Sequence, residues 1–369
     1  MADSTYGDLV HYDVLDRFKR MAQEVAARSS GDIGRFGLQF VEWTRGESVQ
    51  LYEHEHFYLG HVEEGLGTLN LVHDTMFFHK WHSYDRSAAY NTVASIVNDG
   101  ATLGAMPINV HAHIAAGGSH WFVHEERVRE FLEGWLEACT DARCRYDGGE
   151  TSMLRDLVKG SSAVLAGSST CIISPKSRLI RRNIQAGDSI ILLGSSGIHG
   201  NGATLARDIV EKLPEGYTTK MSDGRMFGEA LCDKSHIYVG FIDDCLRAGI
   251  KIHYCVNITG HGWRKLMRAP EPFLYEINNL PTPHPIFGFI AEKGKVSVRN
   301  MYCDCNMGAG FALFVPPLEV QRVSQLWWKN KYPFSILRAG NVQKSSEKRL
   351  VIRPLGKDGE FGPQDLQVR

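Results

Sequence analysis

The sequence predicts a mixed α/β (α+β) protein of two domains, and three observations predict it. The chain's 369 residues are long for one domain and comfortable for two, and either count leaves an ample core. Strand-like and helix-like patterns are interleaved in both halves, as in mixed layers rather than in a bundle or a sandwich. A turn-rich stretch from Gly167 to Lys176, ending in Ser174-Pro175-Lys176, separates the halves, so the expected division is residues 1–174 and 175–369.

The first half opens with an expected helix from Val14 to Ala27, then a turn at Ser29-Ser30-Gly31-Asp32 and the glycine-marked segment Gly34 to Gly37. Residues 50–80 read as strand and loop around Phe57-Tyr58-Leu59. Ala88 to Leu103 reads as a helix with small residues on one side, stopped by Gly104 and Pro107. Val128, Phe131, Leu132, Trp135, Leu136 and Cys139 recur at helical spacing and predict an amphipathic helix with that stripe in the core. In the second half the order is strand 189–193, a Gly/Ser loop 194–202, helix 203–212 and a helix from Tyr238 to Ala248. Strands are expected near 251–256, 286–291, 310–315 and 349–352, and a helix from Leu318 to Asn330. The Gly- and charge-rich tail after Gly356 is expected to fray.

Composition narrows the function classes. Hydrophobic residues make up 43% and charged residues 22%, as in ordinary soluble globular chains. A formal net charge of −1 removes any global electrostatic case for nucleic acid or an acidic membrane as partner. The opening Met1 to Tyr6 has no basic segment leading into an apolar one, so no signal peptide is expected. No apolar run approaches the roughly 20 residues that span a bilayer, and the expected location is cytoplasmic. The eight cysteines are dispersed without a Cys-x-x-Cys pair, which fits reduced, mostly buried thiols. His54/His56 and His111/His113 alternate as strand residues do. With no cysteine or carboxylate cluster at ligand spacing, half-buried polar strand faces are the expected reading rather than zinc.

Four glycine-punctuated clusters have the residue types that hold a nucleotide triphosphate with magnesium. Phosphate oxygens suit backbone N–H groups that can approach closely; magnesium suits one or two carboxylates completed by phosphate and water. The clusters are Glu63-Glu64-Gly65-Leu66-Gly67-Thr68, Val97-Asn98-Asp99-Gly100, Asp147-Gly148-Gly149-Glu150-Thr151 and Gly194-Ser195-Ser196-Gly197-Ile198-His199-Gly200-Asn201-Gly202. Singly, the first three also read as a plain turn, a helix end and a sharp turn. The fourth runs from an apolar strand into a helix N-terminus, where free N–H groups and the helix dipole favour an anion. It lacks the Gly-Lys-Ser/Thr ending of a Walker loop and the glycine spacing of a dinucleotide fingerprint.

Taken in order, these segments resemble those of the aminoimidazole ribonucleotide synthetase (phosphoribosylformylglycinamidine cyclo-ligase) family. The resemblance rests on Glu64 to Thr68, Val97-Asn98-Asp99 with Gly104-Ala105-Met106-Pro107, and Gly148 to Thr151. It continues through Gly187-Asp188, Ser195 to Gly202, Thr259-Gly260-His261-Gly262 and Met301 to Gly310, and it covers residues 34–352. It implies two α/β domains and a homodimer built through the β-sheets of the N-terminal domains. It implies ATP and magnesium as cofactors, and a small-molecule nucleotide, formylglycinamidine ribonucleotide, as the substrate closed to the aminoimidazole through a phosphorylated amide. Carried over by position, Asp99, Glu150 and Glu64 are the implied metal ligands, and His199 and Asp99 the implied catalytic residues. Gly65, Gly67, Thr68, Asn98, Gly148, Gly149, Thr151, Ser195, Ser196, Gly197, Asn201, Gly202, Thr259 and Gly260 are the implied nucleotide-binding residues. The chain departs from the family pattern at Glu64 (Asp), Leu69 (Lys), Gly200 (Ser), His261 (Gly) and Cys305 (Phe). The alternatives are an enzyme of the same fold with another substrate, and a silent nucleotide-binding relative.

Overall fold

The computed structural model describes residues 12–29, 31–80 and 83–366; the Met1–Tyr6 segment and Ser30 of the first turn lie outside them. In chain order the first half comprises α1 (Tyr12–Ala27), β1 (Gln39–Phe40), β2 (Gln50–Glu53), β3 (Tyr58–Gly65), α2 (Asn70–Lys80), α3 (Asp85–Ala101), β4 (Met106–Ala116), α4 (Glu125–Asp141), β5 (Arg145–Met153) and β6 (Ala163–Ile173). The second half comprises β7 (Ser189–Gly194), α5 (Ala203–Val210), α6 (Phe227–Leu231), α7 (Val239–Arg247), β8 (Tyr254–Asn257), β9 (Phe273–Ile277), α8 (Pro285–Gly294), α9 (Val298–Asp304), β10 (Ala309–Val315), α10 (Val320–Asn330), β11 (Ile336–Lys344), β12 (Arg349–Ile352) and β13 (Glu360–Phe361). The mixed α/β class read from the sequence is the class observed, with two separate sheets.

The first sheet has the order β1-β2-β3-β6-β4-β5, antiparallel except for the parallel β4–β5 pair. The second has the order β13-β12-β9-β11-β7-β10-β8, antiparallel except for β12–β9. In this sheet β7 and β10 are buried along their whole length, which is why both read as continuous apolar runs.

Several sequence expectations are corrected. The stretch from Gly167 to Ile173 is the second half of β6, a central strand and not a turn. Its glycine and serines mark close strand packing: a Cβ at Gly167 would run into the His111 carbonyl of β4. Residues 286–291 form α8 rather than a strand, with Pro285 at the first helical turn, where a missing N–H costs nothing. Residues 357–366 form helical turns and β13, which pairs with β12, so the expected fraying is not seen there; residues 367–369 lie outside the described residues. His54 and His56 sit in the β2–β3 loop, not on a strand, whereas His111 and His113 lie on β4.

The amphipathic helix α4 forms as expected but presents a rotated face. Arg127, Phe131, Gly134, Trp135, Ala138 and Cys139 are buried, while Leu132 and Leu136 are exposed. Arg127 belongs inside because its fork meets Asp85 at 2.9 Å through both Nε and Nη2, and also bonds Asp74. The Trp121 ring stacks beneath it, with Cζ 4.5 Å from the ring centroid. A charge at that depth persists only when paired and hydrogen-bonded in this way.

Helix α3 joins the two halves. Every residue of it except Arg86 and Ser95 is buried, and it packs against β3, β4, β6, α4, α7 and β8. Surrounded on all sides, it is built largely of small residues, and its polar side chains must find protein partners. Asn91 accepts from the Ser235 N–H at 2.6 Å and donates to the Asp233 carbonyl at 3.1 Å. One heptad later Asn98 accepts from the Tyr238 N–H at 2.8 Å and donates to the His236 carbonyl at 2.9 Å. Both amides thus read the backbone of one segment, 233–238, of the second half. Asn98→Ala leaves a buried N–H and a buried carbonyl without partners, so a loss of about 2–3 kcal/mol is expected. Urea unfolding of the variant checks it; a loss below about 0.5 kcal/mol would remove the clamp.

Candidate active site

Where α3, the end of β3, the loop after β7 and the segment after β8 meet, they enclose a cavity of about 370 Å³. Asn91, Ser95 and Asp99 project into it from α3; spaced by four residues, they form one stripe on that helix. Glu64 and Gly65 come from the end of β3, and His199, Gly200 and Asn201 from the Gly/Ser loop. Thr259, Gly260, His261, Lys265 and Arg268 follow β8, and α1 contributes Lys19.

The electrostatics centre on Glu64, Asp99 and Lys265. Asn257 donates to Asp99 Oδ1 at 2.8 Å. Lys265 donates to the Thr259 hydroxyl and, at 3.4 Å, to the Asn257 carbonyl. Glu64 reaches water through the cavity, yet the surrounding walls strip its hydration and Asp99 repels it, so its carboxyl is pushed up to about 7 against the pull of Lys265. Burial pulls the Lys265 ammonium down to about 8, while Asp99 and Glu64 hold it up. His261 adopts a left-handed backbone with φ 74°. Its ring is buried, with Nε2 3.5 Å from Asp16 Oδ2 on α1, and burial, with Arg264 nearby, drives it toward the neutral form.

The Gly/Ser loop is organised from behind. Asn306 accepts from Ser195 Oγ at 2.9 Å and from the Gly308 N–H at 3.0 Å, and donates to the Gly197 carbonyl at 2.8 Å. His199 Nε2 accepts from the Ser196 N–H at 3.0 Å and the His236 N–H at 3.3 Å. An accepting Nε2 requires an imidazole protonated at Nδ1 alone, and burial with His236 and His284 nearby holds the ring's pKa well below its usual range. The His199 side chain implied as catalytic thus sits in an environment that favours a neutral, loop-bracing imidazole.

The cavity therefore collects Glu64, Gly65, Asp99, His199, Asn201, Thr259 and Gly260 from the residues singled out in the sequence. The others sit elsewhere for identifiable reasons. Asn98 is committed to the backbone of His236 and Tyr238. Ser195, Ser196 and Gly197 bond the protein behind the loop. Gly202 caps α5, and Gly67 precedes Thr68, whose hydroxyl lies 3.2 Å from that of Thr204 at the start of α5. Gly148, Gly149, Glu150 and Thr151 belong to the edge strand β5, not to a turn. Gly149 is glycine because a Cβ there would enter the Ala112 carbonyl of β4. Glu150 is exposed and pairs in register with His113, so the expected convergence of Glu150 with Asp99 on one cavity does not occur within the chain.

Sequence reasoning missed Lys19, Glu47, Asn91, Asn257, Lys265 and Arg268. The one local signal was Asn257, a polar residue ending an otherwise apolar strand.

Residues 66–172 match the family model described as AIR synthase related protein, N-terminal domain. The phosphoribosylformylglycinamidine cyclo-ligase of Methanocaldococcus jannaschii is 32% identical over 295 residues, 79% of this chain and 80% of that one. The chain belongs to the phosphoribosylformylglycinamidine cyclo-ligase family. The cyclo-ligase of Lachnospira eligens is 31% identical over 240 residues, 64% of this chain and 69% of its own. Among solved structures, the Aquifex aeolicus ThiL complexed with AMPPCP and TMP shares the fold, with a TM-score of 0.54 at 15% identity over 81% of this chain and 85% of that one. The family is one of ligases, and this chain is an enzyme of it.

Within the family pattern, Leu69 is fully buried and brings no cation to the cavity. Asp99 and Glu64 are a donor set of the kind magnesium takes: two carboxylates near enough to repel, with room for phosphate and water. Among the described residues no group of three or more His, Cys, Asp or Glu is arranged for a metal.

Glu64 sets a pH dependence. Its folded pKa is raised from 4.5 to about 7, so its contribution to stability is whole below the unfolded value and is lost as pH rises through the folded one. Glu64→Gln is blind to that change. Without divalent cations, the melting temperature of Glu64→Gln relative to the parent protein is expected to rise between about pH 5 and about pH 8. Parallel thermal-melt curves would remove the raised carboxyl.

Proposed function

We propose that the chain converts formylglycinamidine ribonucleotide to aminoimidazole ribonucleotide at the expense of ATP. The observation that carries this reading is the meeting of Asp99, Glu64, Thr259 and the Gly/Ser loop, distant in sequence, on one polar cavity. Membership in the cyclo-ligase family and the AMPPCP bound by the structurally similar ThiL support it.

An amide oxygen leaves badly and a phosphate leaves well, so transfer of the γ-phosphoryl group to that oxygen prepares it for displacement by the substrate's own amine. Holding the chain folded makes that attack intramolecular. Asp99 and Glu64 are the residues that would hold magnesium, which when bound supplies charge neutralisation between triphosphate oxygens. Asn257 fixes one oxygen of Asp99, so the carboxylate meets its ligand already oriented. Gly65, Gly200 and Gly260 offer backbone that phosphate can approach closely, and Lys265, Arg268 and Lys19 balance the anionic ligand.

The same reading assigns residues up to 174 to an N-terminal domain and the rest to a C-terminal one, with a homodimer as the working assembly. No helix among the described residues is long and apolar enough to cross a membrane.

The deciding assay supplies formylglycinamidine ribonucleotide, ATP and magnesium and follows ADP together with the aminoimidazole product. Stoichiometric appearance of both is expected; phosphate release only with a different amide or acid would replace the substrate, and no turnover would leave a binding protein. Asp99→Asn should weaken magnesium-dependent AMPPCP binding by roughly tenfold or more with the melting temperature retained. Unchanged affinity would move the metal site elsewhere.

A further inference from the structure

Three cations line the cavity, and they are held differently. Arg268 donates to Ser48 Oγ at 2.7 Å and to the Gly46 carbonyl at 2.6 Å, with Glu47 3.9 Å from its Nε; it builds the wall. The Lys19 side chain is 51% exposed and lies 3.9 Å from Asp16; water already solvates it. Lys265 is the enclosed one. Its protein acceptors are the Thr259 hydroxyl and the Asn257 carbonyl. An ammonium carries three N–H donors, so one donor of Lys265 has no protein acceptor among the described residues, on a side chain that lines the cavity.

Both anchors lie on the segment that also positions Asp99, because the Asn257 side chain donates to Asp99 while its carbonyl accepts from Lys265. The ammonium is thereby fixed relative to the proposed metal-binding carboxylates. Position 69, where the family pattern places a lysine, is a fully buried leucine.

We propose that Lys265 is the phosphoryl-binding cation of this site, its remaining N–H donating to a non-bridging phosphate oxygen of the ligand. The assignment rests on reading the cavity as the nucleotide site. The oxygen belongs either to the triphosphate of the nucleotide or to the phosphate monoester of the ribonucleotide substrate, and Thr259 serves the ligand by holding the ammonium in place.

Calorimetry with Lys265→Met, whose side chain keeps the length and drops the charge, separates the sources. Titration with AMPPCP and magnesium reports the triphosphate, and titration with formylglycinamidine ribonucleotide reports the monoester. The affinity for one of them is expected to fall at least about tenfold, and the one that falls identifies the source. Both affinities staying within about twofold of the parent would overturn the proposal. A parent protein that binds neither ligand overturns the reading of the cavity, and this inference with it, which is a distinguishable result. A second measurement needs no variant: amidination of the parent protein with methyl acetimidate, followed by peptide mass spectrometry. Lys265 is expected to react in the ligand-free protein and to be protected by the bound ligand, while exposed Lys344 is not. Labelling of Lys265 that ignores the ligand, or no labelling at all, would overturn the assignment.

Discussion

A helix buried on every side constrains this structure more than any other element. Helix α3 touches the first sheet, α4 and the second half at once, so most of its polar groups must find partners within the protein. Asn91 and Asn98 each need a donor and an acceptor, and the backbone of 233–238 supplies both pairs. Because an unsatisfied buried amide is costly, these bonds favour the register in which the two halves are docked. That register brings Asn257 of β8 to Asp99. The position of the proposed metal-binding carboxylate therefore depends on hydrogen bonds between the two halves, and a substitution at Asn98, which does not line the cavity, would shift the site indirectly.

The cavity itself is electrostatically incomplete. Loss of hydration in the cavity walls, helped by repulsion from Asp99, lifts Glu64 toward neutral pH against the pull of Lys265, and burial lowers the Lys265 ammonium in turn. A buried network with unmet charge destabilises the ligand-free state. Binding a metal–phosphate complex would relieve that, since the cation answers the two acids and the phosphate answers the lysine. On the proposed reading, stability given up in the ligand-free site would reappear as affinity, a trade common at functional sites.

How much of this was legible in the sequence depends on the kind of signal. The α4 helix was visible from its period, but its buried face is rotated from the predicted stripe: pairing with Asp85 and Asp74 draws Arg127 inside, and Leu132 and Leu136 are left exposed. Gly167, Ser168 and Ser169 looked like a turn, yet small residues are equally what a central strand needs where its neighbours come close. The run around Ile286 to Ile290 was short and apolar, a pattern that fits strand or helix alike; Pro285 was the cue to the helix. At the site, Asp99, Glu64 and Thr259 were legible because each stands beside glycines in an ordered series. Lys19, Lys265 and Arg268 were not, since an isolated basic residue carries no mark that distinguishes a cavity wall from a solvated surface.

The departure at His261 has a structural consequence that a glycine could not produce. The backbone there is left-handed, a conformation glycine adopts freely and histidine adopts at some cost. The return is a buried ring packed between the loop that carries Thr259 and the helix that carries Asp16 and Lys19. Near neutral pH the ring is uncharged, so it joins the two through packing and a weak polar contact rather than an ion pair. That contact ties α1 to the segment that anchors Lys265. Two of the cavity's three cations are thus placed by elements that meet at one imidazole, so His261 shapes the proposed anion site through the segments it joins.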